Sequence, residues 1–201
     1  MPGQACRVRA SAYGVDLHDR KCDQNLARLH KAGITGVRTV SGDACELNEV
    51  LTSFDAMLGE PALFDTVFID APCSGTGTMR RHPEIPWRLT ENDVTTELPK
   101  LQLTMLKEAA ARVAAGGELI YATCSVFDEE NTQVVDAFLA SSEGAGFIVA
   151  PLSEVQILQL PEYDHAKSLV TLRQNPRGLF QSVPVNADSY DGHFCARLIH
   201  K

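Results

Sequence analysis

Two cysteines stand directly behind apolar segments that read as buried strands. Cys73 lies in Asp70-Ala71-Pro72-Cys73 after residues 64–69 (FDTVFI), and Cys124 lies in Thr123-Cys124-Ser125 at the end of residues 118–123 (ELIYAT). A thiolate is a sulfur nucleophile that adds to electron-poor carbon, and an acid three residues from a thiol is a partner that can hold or protonate a substrate. Methylation of cytosine at carbon 5 has these requirements. The ring is a poor nucleophile there, so a thiolate must first add to carbon 6 and create electron density at carbon 5. An acid at the ring nitrogen and exocyclic amine neutralises charge as it develops. The proton at carbon 5 must then leave and the thiolate must be expelled, a step a second cysteine could serve. Each residue also has a plain structural reading: an acid that ends a strand often caps the next helix, and a cysteine in an apolar segment is a small buried hydrophobe.

The elements that would position these groups alternate between strand and helix, the pattern of parallel α/β architecture. Residues 11–17 (SAYGVDL) predict a strand, 19–32 a helix stopped by Gly33, and 37–40 a second strand that runs into Gly42-Asp43. Residues 46–58 carry Leu47, Val50, Leu51, Phe54 and Met57 at helical spacing, and 64–69 form a third strand that delivers Asp70. PCSGTGTMRRHPEIPW is too rich in Gly and Pro for regular structure and predicts a loop, in which Gly75 and Gly77 suit close approach of backbone to a ligand. Pro99 opens a further helix that is expected to run to Gly116-Gly117, followed by a strand at 118–123. Asp128 is read as an N-cap, with Glu129 and Glu130 complementing the dipole of a helix that reaches about Ala140. Residues 146–150 predict a strand, 152–190 are ambiguous, and 193–199 (HFCARLI) alternate as a half-exposed antiparallel strand would. Asp16, Asp43, Asp70 with Cys73, and Cys124 all fall at carboxyl ends of predicted strands, where open α/β sheets bind ligands.

The chain of 201 residues fits one globular domain, expected to span 1–201 and large enough to bury roughly 70% of its unfolded surface without covalent staples. Its six cysteines (Cys6, Cys22, Cys45, Cys73, Cys124, Cys195) include no C-x-x-C pair, so no zinc site or redox couple is written and no metal is expected. Reduced cysteines point to an intracellular protein, cytoplasmic or nuclear and nucleolar. No apolar run reaches the ~20 residues of a membrane span, and no secretory signal opens the sequence. The formal charge of −8 argues against a freestanding nucleic-acid binder, yet Arg80, Arg81, His82 and Arg88 gather behind Cys73. This cluster reads either as a solvated loop or as a phosphate contact, and Trp87 beside it as packing or as a stacking platform.

DAPCSGTGTMRRHPEI and YATCSVFDEENTQVVDAFL resemble the Pro-Cys and Thr-Cys signatures of the Sun (Fmu-type) family of RNA cytosine-5 methyltransferases, and GVDLHDRKCDQNLARLHKAGITGVRTVSGDA resembles that family's cofactor-contacting segment. The resemblance runs from about Gly14 to Phe138, with a weaker echo in DGHFCARLI. It implies a Rossmann-like class I methyltransferase fold with an antiparallel last strand, S-adenosylmethionine as methyl donor, and ribosomal or transfer RNA as substrate. Carried onto this sequence, it implies Cys124 as the nucleophile, Cys73 as the residue that assists release, and Asp70 as the contact to the base. It further implies Asp16 on the cofactor ribose, Asp43 on its adenine edge, Asp70 and Pro72 among the cofactor-binding residues, with Pro72 shaping the turn that brings base and methyl donor together, and Arg80, Arg81 and His82 on RNA phosphates.

The family also carries a glycine-rich loop, resembling Pro-Gly-Gly-Lys, on a strand and helix ahead of the acid matched by Asp16. Here only Pro2-Gly3 hints at it, and the interval to Asp16 is too short for loop, helix and strand. The expectation is therefore a catalytic domain that lacks the first strand and that loop, together with the family's amino-terminal RNA-binding region, unless a partner subunit completes it. Two readings follow: an RNA cytosine-5 methyltransferase domain, or an RNA-binding scaffold that has lost donor binding. A DNA cytosine methyltransferase ranks lower, because that class uses the Pro-Cys thiol and has no need of the Thr-Cys motif.

Overall fold

The computed structural model describes residues 12–184 and 190–201, and the chain divides into two compact units, Met1–Glu60 and Pro61–Lys201. Cys6, Pro2-Gly3 and the first residue of the predicted 11–17 strand lie outside the described residues.

In the first unit β1 (Ala12–Asp16) and β2 (Val37–Ser41) pair in parallel, from Ala12 opposite Val37 to Asp16 opposite Ser41, with α1 (Asp19–Lys31) as the crossover. Gly33, at φ 75°, closes the C-terminal turn of α1, as its sequence position predicts. The Tyr13 ring packs on Phe54 with centroids 4.2 Å apart. The continuous helix expected over 46–58 is broken into a turn at Ala44–Glu46, α2 (Leu47–Val50) and α3 (Thr52–Leu58). At the break the Thr52 hydroxyl donates to the Asn48 carbonyl at 3.1 Å, a local bond that competes with the helical ladder, and Leu51 is drawn into the interior.

The second unit is built on a five-stranded sheet. β3 (Phe64–Asp70) pairs in parallel with β4 (Val113–Thr123), and β7 (His193–His200) runs antiparallel to β4 along one edge. Along its other edge β7 pairs antiparallel with β5 (Phe147–Ala150) and with β6 (Phe180–Ser182). The antiparallel last strand expected from the alternation of 193–199 is present: Phe194, Ala196 and Leu198 are buried and His193 is exposed. The α-helices among the described residues of this unit are α4 (Leu98–Ala110), α5 (Thr132–Leu139) and α6 (Asp164–Arg173), the last lying in the stretch whose sequence was ambiguous. Leu106, Leu119, Tyr121, Val135, Phe138, Phe194 and Leu198 form the centre of the core. No helix among the described residues is long and apolar enough to cross a membrane.

Two expectations are corrected here. Gly116-Gly117 does not stop a helix; α4 ends at Ala110 and β4 has already begun at Val113. Gly116 takes φ 76° where the pairing of β3 with β4 slips register, and a Cβ on Gly117 would lie 2.9 Å from the Asp65 carbonyl oxygen, so the pair serves a strand irregularity. Asp128 does not cap α5, which starts four residues later. Its carbonyl accepts from the backbone N–H groups of Asn131 and Gln133, a turn that carries Glu130 inward instead of leaving it beside the helix dipole.

Candidate active site

Parallel pairing of β3 with β4 sets Asp70 opposite Ala122 and so brings the two loops that follow these strands to the same end of the sheet. Both cysteines emerge there. Their Sγ atoms lie 3.2 Å apart, and the Cys124 backbone N–H also points at the Cys73 sulfur at 3.3 Å. Cys73 and Cys124 are each half-buried, whereas Asp70 and Pro72 are exposed at the mouth of the same strand ends.

The two thiols are electrostatically unequal. Donation from the Cys73 S–H holds the Cys124 thiol down at about 7, below its ordinary 9.0, against the opposing effects of desolvation and of the Asp70 and Glu130 charges. Cys73 moves the other way: its proton is held by the bond to Cys124 and by burial, well above the ordinary thiol range. Cys124 is therefore the thiolate of the pair above neutral pH and Cys73 the donor. We expect alkylation of Cys124 by iodoacetamide, followed by peptide mass spectrometry, to rise with an inflection near pH 7. Cys195, pushed up to about 11 by burial on β7, should stay unmodified over the same range. An inflection at Cys124 near the ordinary thiol value would contradict the inequality.

Beneath the sulfurs lies a buried hydrogen-bond network. Glu130 is fully buried; its Oε2 accepts from the Ser74 backbone N–H at 2.8 Å and from the Gln102 amide at 3.1 Å, and its Oε1 accepts from the Ser125 hydroxyl at 2.6 Å. The Gln102 amide also donates to the Pro72 carbonyl at 2.9 Å. Ser74 Oγ donates to Ser125 Oγ at 3.1 Å, Thr76 Oγ1 accepts from the Val126 N–H at 3.1 Å, and the Asn131 amide donates to the Ser125 carbonyl at 3.0 Å. Sequence reasoning missed Glu130, Gln102, Ser74, Thr76, Ser125 and Asn131. A readable sign existed: each cysteine is followed directly by a serine, and both serines join this network.

Gly75 takes the left-handed conformation at φ 71°. Gly77 does approach backbone closely, but that of its own chain: a Cβ there would sit 2.2 Å from the Gly192 carbonyl oxygen. Its N–H donates to the Cys124 carbonyl at 2.8 Å and its carbonyl accepts from the Gly192 N–H at 2.8 Å.

The basic cluster is partly committed within the protein. Arg81 Nε donates to Asp191 at 2.8 Å, an Arg80 guanidinium nitrogen lies 3.7 Å from the same carboxylate, and His82 Nδ1 lies 3.5 Å from Glu84. Both arginines remain about half exposed, at 48% and 59%. Trp87 is not packed; its surface is 89% exposed.

In the first unit Asp16 and Asp43 follow adjacent parallel strands. Asp16 accepts from the His18 N–H at 3.0 Å and lies 3.7 Å from the Lys21 ammonium, and Asp43 accepts from the Cys45 N–H at 2.8 Å. The capping role that any strand-end acid can play is realised in Asp43, which caps the turn at Ala44–Glu46, but not in Asp16, which bonds to His18 ahead of α1; each keeps carboxylate lone pairs for further donors.

Comparison with known proteins bears on this arrangement. The family model described as 16S rRNA methyltransferase RsmB/F matches residues 4–199. The ribosomal RNA small subunit methyltransferase B of Salmonella arizonae is 39% identical over 192 residues, covering 96% of this chain and 37% of that protein. The chain thus spans little more than a third of that relative. Among solved structures, PH0851 superposes with a TM-score of 0.72 at 28% identity, over 94% of this chain and 37% of that one. NSun6 from Pyrococcus horikoshii, solved with SFG, gives 0.68 at 19% identity over 95% and 41%, a likeness of fold. The mixed α/β architecture is that of class I methyltransferases, and with almost its whole described length matched, the chain belongs to the RsmB/F family of 16S rRNA methyltransferases.

Proposed function

We propose that this chain is the catalytic part of an RNA cytosine-5 methyltransferase, with ribosomal RNA as substrate, S-adenosylmethionine as methyl donor and Cys124 as nucleophile. The observation that carries the reading is the pair of sulfurs 3.2 Å apart, one poised as thiolate and one as thiol, at the ends of β3 and β4. Family membership supports it.

The Cys124 thiolate adds to carbon 6 of the cytosine, and the electron pair of the ring double bond moves toward carbon 5 and the ring nitrogen. Asp70, at the mouth of the site, holds the ring nitrogen and exocyclic amine and offsets the charge that develops there. Bound S-adenosylmethionine supplies the methyl group that carbon 5 takes up. Once its sulfur is bonded to carbon, Cys124 no longer accepts strongly from Cys73, and the largest effect that holds the proton on Cys73 is gone. Cys73 then ionises more readily and takes the carbon 5 proton, and the returning electron pair breaks the carbon–sulfur bond and expels Cys124 as thiolate.

For the donor, Asp16 and Asp43 present carboxylate acceptors that suit ribose hydroxyls and an exocyclic amine. The methionine portion needs a glycine-rich backbone cradle, and no strand bearing one is among the described residues; β3 is an edge strand of its sheet. A second reading, an RNA-binding scaffold without donor affinity, rests on the half-exposed Arg80 and Arg81 in the loop that follows Cys73. Titration calorimetry with S-adenosylmethionine separates the two. The methyltransferase reading expects micromolar binding and 5-methylcytidine in a digest of small-subunit rRNA treated with the chain and donor, whereas millimolar or absent binding would favour the scaffold. Arg80, Arg81 and His82 are the phosphate contacts in either reading.

A further inference from the structure

We propose that Glu130 is a positioning residue that clasps the two cysteine loops and thereby sets the distance between Cys73 and Cys124. The inference rests on the methyltransferase reading for its catalytic consequence, though not for its geometry. One carboxyl group gathers donors from both loops: the N–H of Ser74, next to Cys73, and the hydroxyl of Ser125, next to Cys124. Gln102, from α4, braces the same oxygen and reaches the carbonyl of Pro72, so the Cys73 loop is fixed on both sides of its thiol. The Tyr121 hydroxyl donates to the Glu130 carbonyl at 2.6 Å and ties the backbone of Glu130 to β4.

A carboxylate buried without a cation is a costly choice for a residue that only fills space. The cost is offset by three converging donors, which no other side chain of that length could all accept from. The lengths are those of strong bonds, 2.6–3.1 Å, and the paired loops cannot separate without stranding at least one donor.

The sign of an electrostatic effect distinguishes this role from a simple charge effect. Cys124 faces Cys73, Asp70 and Glu130, with Tyr121 facing Cys73; the Asp70 and Glu130 charges both oppose ionisation of Cys124. Deleting the Glu130 charge alone would move the Cys124 titration down. Letting the sulfurs drift apart removes the bond from Cys73 and moves it up.

The test measures iodoacetamide alkylation of Cys124 against pH, and the rate of adduct formation with RNA carrying 5-azacytosine, in the full chain and in E130A, E130Q and S125A. Thermal melting reports which variants fold. In E130A the alkylation inflection is expected to climb from about 7 toward the ordinary 9.0, and adduct formation to slow by about 100-fold, as misplaced reacting groups do. E130Q keeps both loops joined, its amide oxygen accepting from Ser74 and Gln102 and its NH2 donating to Ser125 Oγ with that bond reversed, and should hold the inflection at or below that of the parent, whereas S125A, which removes that arm outright, should fall between parent and E130A. A folded E130A with an unchanged or lowered inflection overturns the proposal, as does an E130Q that behaves like E130A. Should E130A not fold, an unmoved inflection in S125A overturns it as well. If the parent chain forms no adduct while the alkylation profiles shift as described, the methyltransferase reading fails and the clasp stands.

Discussion

Cys124→Ala is expected to abolish the covalent adduct with RNA carrying 5-azacytosine, while Cys73→Ala forms adduct and, with ordinary RNA and methyl donor, accumulates it. The azacytosine ring has nitrogen at position 5, so there is no carbon-bound proton to lose and the added sulfur is not expelled. Adduct formation then reports attack by itself. Only a thiolate can make that attack near neutral pH, and of the two sulfurs Cys124 is the one held down at about 7. Its removal should cost on the order of 10⁴-fold or more in methylation, as loss of a nucleophile does elsewhere. Cys73→Ala takes away the S–H donor, so attack shifts to higher pH, and on the proposed mechanism it also takes away the base that receives the carbon 5 proton, so release becomes the slow step. A gel of RNA-linked protein, with and without the donor, reads both effects. Equal loss of adduct in the two variants would mean that the roles are exchanged or absent.

Gly77→Ala should be a severely damaging substitution within the loop that carries Cys73. The new Cβ would stand 2.2 Å from the Gly192 carbonyl oxygen and 2.7 Å from its carbonyl carbon. Both obstacles are backbone, with no side chain free to rotate aside. The same residue bridges the Cys124 carbonyl and the Gly192 N–H, so relief of the clash must open those bonds. We expect a loss of about 3 kcal/mol in urea unfolding, near the upper end for overpacking, together with slower adduct formation. Gly14→Ala serves as the comparison: its Cβ would meet Thr39 Cγ2 at 3.5 Å, an ordinary contact, and stability should change by less than about 1 kcal/mol. Similar melting of the two variants would show that the loop tolerates the separation.

What could be read from the sequence follows the range of the forces involved. Strand and helix periodicities over 12–41, 64–70 and 193–200 are local, and the elements appear where alternation and glycine stops place them. The convergence of Cys73 and Cys124 was legible because both end apolar strands that lie in parallel. The errors came where a nonlocal contact overrode local preference. Gly116-Gly117 looks like a helix stop until β3 is placed alongside, and Glu130 looks like a surface acid of a first helical turn until Ser74, Gln102 and Ser125 are brought to it from elsewhere in the chain. Arg80 and Arg81 read as a basic cluster because Asp191, which answers them, is about 110 residues away.

That distance has a consequence for how the protein is made. Asp191 and Gly192 lie against the Cys73 loop, and β7 is sandwiched between β4 and β5, so every other part of the thiol centre is synthesised before the segment that locks it. On the ribosome the chain must therefore hold β4 with an open flank and an unlatched loop until residues 191–200 clear the exit tunnel. The two thiol loops are latched by the closing strand, a long-range closure that slows folding and leaves that flank the place where a delayed nascent chain would aggregate.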